Sequence, residues 1–174
     1  MFDELSLNIL DIGMNSLAAG ATILEIAIIE NRKHDWLIIR LRDNGRGMSA
    51  ATLKRVLTAN ATTKASRRKP IGLGLAMLRQ TSEMCDGTFH VRSASGHGTT
   101  VTASMRWSHV DRPPLGDLNA TVLALSATSP GVDVRLGYRE DQETFYFSSQ
   151  EGQLDEPRRT PQAQGSRPKT SLAA

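Results

Sequence analysis

At 174 residues and a net charge of +3, the chain is sized for one domain with room for an appendage. Its single cysteine, Cys85, excludes an internal disulfide and fits a reducing compartment. The start Met1-Phe2-Asp3-Glu4 is acidic, and the most apolar runs, Ile23 to Ile29 and Leu37 to Leu41, are too short to span a bilayer. The expectation is therefore a cytoplasmic protein with no membrane partner. The clustered positive charge at Arg67, Arg68, Lys69 and in the tail is too small to predict a nucleic-acid partner.

Residues Asp3 to Ala19 carry apolar residues at helical spacing on two sides, Phe2, Leu5, Ile9 and Ile12 on one and Leu10, Met14 and Leu17 on the other. Between them runs a polar stripe, Glu4, Asn8, Asp11 and Asn15. Apolar flanks on both sides of a stripe predict a mostly buried helix whose polar strip faces an internal cavity. Asp11 and Asn15 lie one turn apart and point the same way. A carboxylate and an amide oxygen so placed can position a water and ligate a hard cation such as Mg²⁺.

Gly20 suits the helix C-terminus. Two strands follow, Thr22 to Glu30 and Trp36 to Arg42, each alternating apolar and polar residues around the polar turn Asn31 to Asp35. The second strand delivers Asp43-Asn44-Gly45-Arg46-Gly47-Met48. Taken alone, this stretch is an ordinary turn. Its alternate glycines also make a backbone that a ligand can approach closely.

Ser49 suits the N-cap of a helix from Ala50 to Leu57. Thr58 to Pro70 holds small, Thr and basic residues without apolar periodicity. It is expected to be a solvated loop, which can also serve as a lid whose cations meet phosphate oxygens. Ile71-Gly72-Leu73-Gly74-Leu75 opens a helix running to about Cys85. Glycines at a helix N-terminus leave free N–H groups converging where a phosphate can sit. Strands Thr88 to Ser93 and Thr99 to Trp107 flank the loop Ala94-Ser95-Gly96-His97-Gly98.

The polar helix, Asp-x-Gly-x-Gly, Gly-Leu-Gly-Leu and Gly-x-Gly-Thr stand in a fixed order. Together they resemble the GHKL ATPase superfamily, which includes gyrase, the MutL mismatch-repair proteins and the histidine kinases. The resemblance covers roughly Leu5 to Trp107. Asp11 to Ala21 resembles the family's N box, and Asn15-Ser16-Leu17-Ala18-Ala19-Gly20-Ala21-Thr22 is close to the MutL version. Asp43 to Gly47 resembles the first glycine box, Ile71 to Leu75 the second in its histidine-kinase form, and Gly96 to Thr99 the third.

The resemblance implies an α+β fold of Bergerat type: a two-layer α/β sandwich, with a mixed sheet, helices on one face and a mobile ATP lid. It implies ATP and Mg²⁺ as cofactors. Asn15 would supply an oxygen to Mg²⁺, and Asp43 would accept from the adenine amino group. Gly45, Gly47 and Met48 would close over the base. Thr63 and Lys64 of the lid, with Gly72, Leu73, Gly74 and Leu75, would meet the phosphates, and Thr99 would support the adenine edge. The general base would be Asp11, where the family usually has glutamate. Aspartate is one methylene shorter, and a displacement of about 1 Å can cost on the order of a hundredfold in rate.

The chain begins directly at the N box, and His34, His90, His97 and His109 are not expected to be catalytic or phosphorylated. Phosphate transfer would then be to an unidentified protein partner in trans, as in the anti-sigma serine kinases of the same superfamily. A non-catalytic ATP/ADP sensor is the alternative. A clamp of MutL type ranks third, because it needs a long transducer domain.

The ATP-binding domain is expected over residues 1–108. Over 109–150 follows an extension: a linker around Arg112-Pro113-Pro114, a helix from Asp117 to Ala127, and a hairpin pairing Val132 to Tyr138 with Glu143 to Ser149. It is read as extending the sheet or forming a partner surface. Residues 151–174, rich in Pro, Gln, Arg and Ser, are expected to be disordered.

Overall fold

The computed structural model describes residues 4–59, 73–150 and 154–155. The two central strands form first in the logic of the sequence. In β1 (Ile23–Asn31) and β2 (Trp36–Asp43), residues alternate between buried and at least partly exposed. This period of two is what a sheet with one covered face requires. The strands pair antiparallel, with Ile26 opposite Leu41 and Ile28 opposite Ile39. β3 (Phe89–Ser93) and β4 (Thr99–Arg106) form the next hairpin, and β4 pairs with β2.

The remaining strands are β5 (Asp133–Glu140), β6 (Glu143–Ser148) and the short β7 (Leu154–Asp155). β5 lies parallel to β1 and antiparallel to β6. The sheet is therefore mixed, in the order β3-β4-β2-β1-β5-β6-β7. The hairpin of the extension lengthens the same sheet, and its helix packs on the covered face.

Four helices accompany it among the described residues: α1 (Leu5–Ala18), α2 (Ala50–Ala59), α3 (Leu73–Met84) and α4 (Leu118–Thr128). Leu5, Ile9 and Ile12 of α1, Leu75 and Leu78 of α3, and Val122 and Leu125 of α4 pack with the inward residues of β1, β2, β4 and β5 in one core. Helices thus cover one face of the sheet, giving the expected two-layer α+β sandwich. Among the described residues no helix is long and apolar enough to cross a membrane.

The helix ends follow their sequence signals. Ser49 Oγ accepts from Thr52 N, and Asp117 Oδ1 accepts from Ala120 N. α1 is different: its N-terminus has no side-chain cap. The carbonyls of Pro114 and Leu115 accept from Leu5 N and Ser6 N at 3.0 and 2.8 Å. The stretch expected to be a linker therefore satisfies free N–H groups of the first helix. Trp107 anchors its start. Its Nε1 donates to the buried Glu30 carboxylate at 2.9 Å, and Arg32 and Arg112 stack on its ring. Burial, together with the same Glu30, pushes the Tyr138 hydroxyl up to about 12.

The polar stripe of α1 does not face one cavity as a unit. Asn8 is buried with its Oδ1 unpaired, and Glu4 accepts from Ser6 Oγ. Leu7 and Met14, one turn either side of Asp11 and next to the stripe, are about 40% exposed, so the helix is less enclosed than its apolar flanks predict.

Candidate nucleotide-binding site

The site is built where β2 ends. Asp43 is the last residue of that strand and alternates onto the covered face, where it is only 8% exposed. Its Oδ1 accepts from Gly45 N at 2.9 Å and from Thr99 N at 3.2 Å, and its Oδ2 accepts from Ser16 Oγ at 3.0 Å. A carboxylate offers about four acceptor positions. Among the described residues three are filled, two on Oδ1 and one on Oδ2.

The loop after Asp43 is held by its own side chains. Asn44 Oδ1 accepts from Thr22 N and Ile23 N, and Asn44 Nδ2 donates to Thr22 Oγ1, so the loop is clamped to the start of β1. Arg46 N donates to Ala19 O, and Gly96 N donates to Arg46 O. Met48 N donates to Ser93 Oγ, which in turn donates to Gly98 O. Gly47 and Gly98 have φ of +63° and +74°. A Cβ on Gly47 would run into the Ala94 carbonyl, and one on Gly98 into the Asp43 carbonyl.

This close crossing of two loops makes the floor of the site. Gly47→Ala is accordingly expected to cost about 1–3 kcal/mol for the left-handed backbone alone, before the clash is counted. The melting temperature should fall by several degrees or more, measurable by calorimetry. An unchanged melting temperature would show that the two loops are not packed this way.

Asn15, Asp43, Gly47, Met48, Leu75 and Thr99 line one cavity of about 210 Å³ together with Ile12, Ser16, Leu41, Val56 and Val101. Its walls are mostly apolar. Its few polar groups come from Asn15, Ser16, Asp43, Arg46 and Thr99, an arrangement typical of a small-molecule site. Asn15 Nδ2 donates to the Asp11 carbonyl at 2.9 Å, and among the described residues its Oδ1 has no hydrogen-bond partner. Gly45 is buried beneath the cavity as a donor to Asp43, and Leu73 is largely exposed at the first turn of α3. Thr63, Lys64 and Gly72 lie outside the described residues, as does the expected lid from residue 60 onward; its first two residues, Thr58 and Ala59, end α2 instead. Of the tail expected to be disordered, Leu154–Asp155 form β7 against β6, and the rest lies outside the described residues.

Asp11 does not line the cavity. Its Oδ2 accepts from Gly74 N at 2.8 Å. A Cβ on Gly74 would stand 2.5 Å from that oxygen, so the glycine is what admits the contact. The carboxylate thus caps the positive end of α3, where a phosphate was expected.

Three contributing residues were not singled out from the sequence: Ser16, Asn44 and Ser93. The signal for Ser16 was its place one turn after Ile12, on the buried stripe of α1. Among the described residues no group of three or more His, Cys, Asp or Glu side chains could hold a metal. A single neutral oxygen from Asn15 fits a Mg²⁺ that arrives with phosphate oxygens and waters as its other ligands.

Residues 1–109 match the family model described as histidine kinase-, DNA gyrase B-, and HSP90-like ATPase. The chain belongs to this family. Among similar proteins, the sensor histidine kinase ZraS of Escherichia coli K12 is 29% identical over 114 residues, 66% of this chain and 24% of that protein. The sensor histidine kinase DcuS of the same strain is 29% identical over 83 residues, 48% of this chain and 15% of that protein. The chain spans a quarter or less of the length of these curated relatives. A solved structure, the Aquifex aeolicus MutL ATPase domain complexed with ADP, aligns with a TM-score of 0.49 and 18% identity over 81% of this chain and 62% of that one. The part of this histidine kinase-, gyrase B- and HSP90-like ATPase domain that matches the family model runs from α1 through β4 and includes the Asp43 loop and α3.

Proposed function

We propose that this chain binds Mg-ATP in the cavity around Asp43 and transfers the γ-phosphate to a partner protein in trans. The observation that carries the binding half is Asp43 Oδ2, which among the described residues accepts only from Ser16, in a mostly apolar cavity that Asn15 also lines. That acceptor matches the amino group of adenine, a donor. The same edge of guanine presents an oxygen. Ile12, Leu41, Val56, Leu75 and Val101 would enclose the faces and edges of the base, excluding water. Asn15 would orient the metal-bound phosphates, and Gly74 N would donate to them once Asp11 let go.

The transfer half is supported by the similarity of the matched segment to sensor histidine kinases. Asp11 would take the proton from the attacking group as its bond to phosphorus forms and ADP departs. The sensor reading is favoured by one observation: Asp11 Oδ2 is engaged by Gly74 N.

ATP labelled at the γ-phosphate separates the readings when incubated with the protein and its co-purifying partners. Label on a partner supports transfer, and free inorganic phosphate alone supports hydrolysis. Tight binding with neither supports a sensor. Failure of a fluorescent ATP analogue to bind would remove the nucleotide reading altogether.

A further inference from the structure

The face of the sheet that no helix covers is not neutral. By the pairing registers, Arg92, Thr100, Arg42, Glu25, Arg135 and Ser148 form one row across β3, β4, β2, β1, β5 and β6. At about 4.8 Å per strand, Arg92 and Arg135 stand roughly 19 Å apart. The next row carries His90, Thr102, Arg40, Ala27, Gly137 and Tyr146, and the one beyond it Ser104, Ile38, Ile29, Arg139 and Thr144.

With Arg106 at the end of β4, this face holds six arginines against three acidic residues, Glu25, Asp133 and, opposite Tyr146 in the register, Asp155. Arg42 and Arg135 share Glu25 at 3.7 Å each, Arg135 also meets Asp133, and Arg106 meets Asp35. Arg40, Arg92 and Arg139 have no ion-pair partner among the described residues. All three are exposed.

We infer that this outer face docks an acidic protein surface. Unpaired guanidiniums on a rigid sheet match carboxylates in fork geometry. Between them lies the aliphatic patch of Ala27, Ile29 and Ile38, each half-buried. Arginines around an aliphatic centre have the composition of a protein interface. A nucleic acid would set phosphates against that patch and find few rings to stack on. The exposed aromatics Trp36 and Tyr146 stand on β2 and β6, separated by β1 and β5. Arg42 adjoins Asp43 in sequence, so the docked partner would lie directly behind the candidate nucleotide site. No residue of the three unpaired arginines lines that cavity, so the docking surface stands whether or not nucleotide binds.

The test uses the full chain and three probes at 0.1 M salt. These are a 20-residue helical peptide with glutamates beside a leucine stripe, a 20-base-pair DNA, and phosphatidylserine vesicles. The peptide is expected to bind. The triple change Arg40→Glu, Arg92→Glu, Arg139→Glu should weaken it at least tenfold and leave ATP affinity within twofold. The same charge change on the helix side, Lys54→Glu, Arg55→Glu, Arg79→Glu, should leave peptide binding within twofold. The glutamine versions of the outer-face changes should give an intermediate loss, which serves if the charge reversal does not fold. The inference is overturned if the peptide does not bind, or if both triple variants weaken it alike. It is overturned equally if DNA or vesicles bind more tightly than the peptide through the outer face.

Discussion

Asp43→Asn is expected to lower ATP affinity by about a hundredfold while leaving the fold in place. The fold should survive because the amide oxygen can still accept from Gly45 N and Thr99 N, the two bonds that Oδ1 makes now. The new amino group can donate to Ser16 Oγ, which has Ile12 O within reach for its own proton at 3.3 Å. What changes is Oδ2. It is an acceptor, and its replacement is a donor facing the donor of adenine.

Loss of a hydrogen bond to a charged group is worth about 1.5–3 kcal/mol, and opposed donors add to it. At about 1.4 kcal/mol per tenfold, this gives roughly two orders of magnitude. The same reversal should raise the ratio of GTP to ATP affinity, since the oxygen of guanine now meets a donor. Titration calorimetry with both nucleotides reads the two effects, and a melting curve checks the fold. Equal ATP binding by the variant and the parent would mean that Asp43 is only a brace for the Gly45 and Thr99 amides.

How much of this was legible in the sequence follows from the range of each interaction. The alternation in Thr22 to Glu30 and Trp36 to Arg42 gave both central strands and their covered faces, because burial on one side imposes a period of two wherever it occurs. Asp117 and Ser49 announced helix starts through local bonds three residues long. The order of strands was not legible from periodicity. Nothing in Val132 to Tyr138 says that it runs parallel to β1 rather than closing a separate hairpin.

The site divides the same way. Asp43 and Asn15 stood out through their motifs, and the structure brings both to one cavity. The clamp from Asn44 to the start of β1 spans some twenty residues, and no local pattern marks it. The outer arginines were present in the alternation all along. Arg40 and Arg42 are the polar half of β2, but only the registers set them beside Arg92 and Arg135.

Asp11→Asn separates the cap that the structure shows at Gly74 from the general-base role proposed for the same side chain. As a cap, Asp11 needs only an acceptor for Gly74 N, 63 residues away in sequence. Asparagine supplies one, so the link between α1 and α3 should persist and the melting temperature should move little. As a general base, Asp11 needs a basic carboxylate, which asparagine lacks. A positioned base contributes about a hundred- to ten-thousandfold, so turnover of ATP should fall by at least a hundredfold.

Binding should move the other way. The carboxylate holds the α3 amide that a phosphate would use, and removing its charge relieves repulsion of about 1 kcal/mol even at water-like screening. ATP affinity is therefore expected to be unchanged or up to about fivefold tighter, a split between binding and turnover that a folding defect would not produce. Asp11→Ala removes the cap as well and should lower the melting temperature in addition. If Asp11→Asn turned over ATP at the parental rate, Asp11 would be a structural link alone. The methylene that separates it from the family's glutamate would then account for the difference, by holding the carboxylate on Gly74 and short of any attacking group.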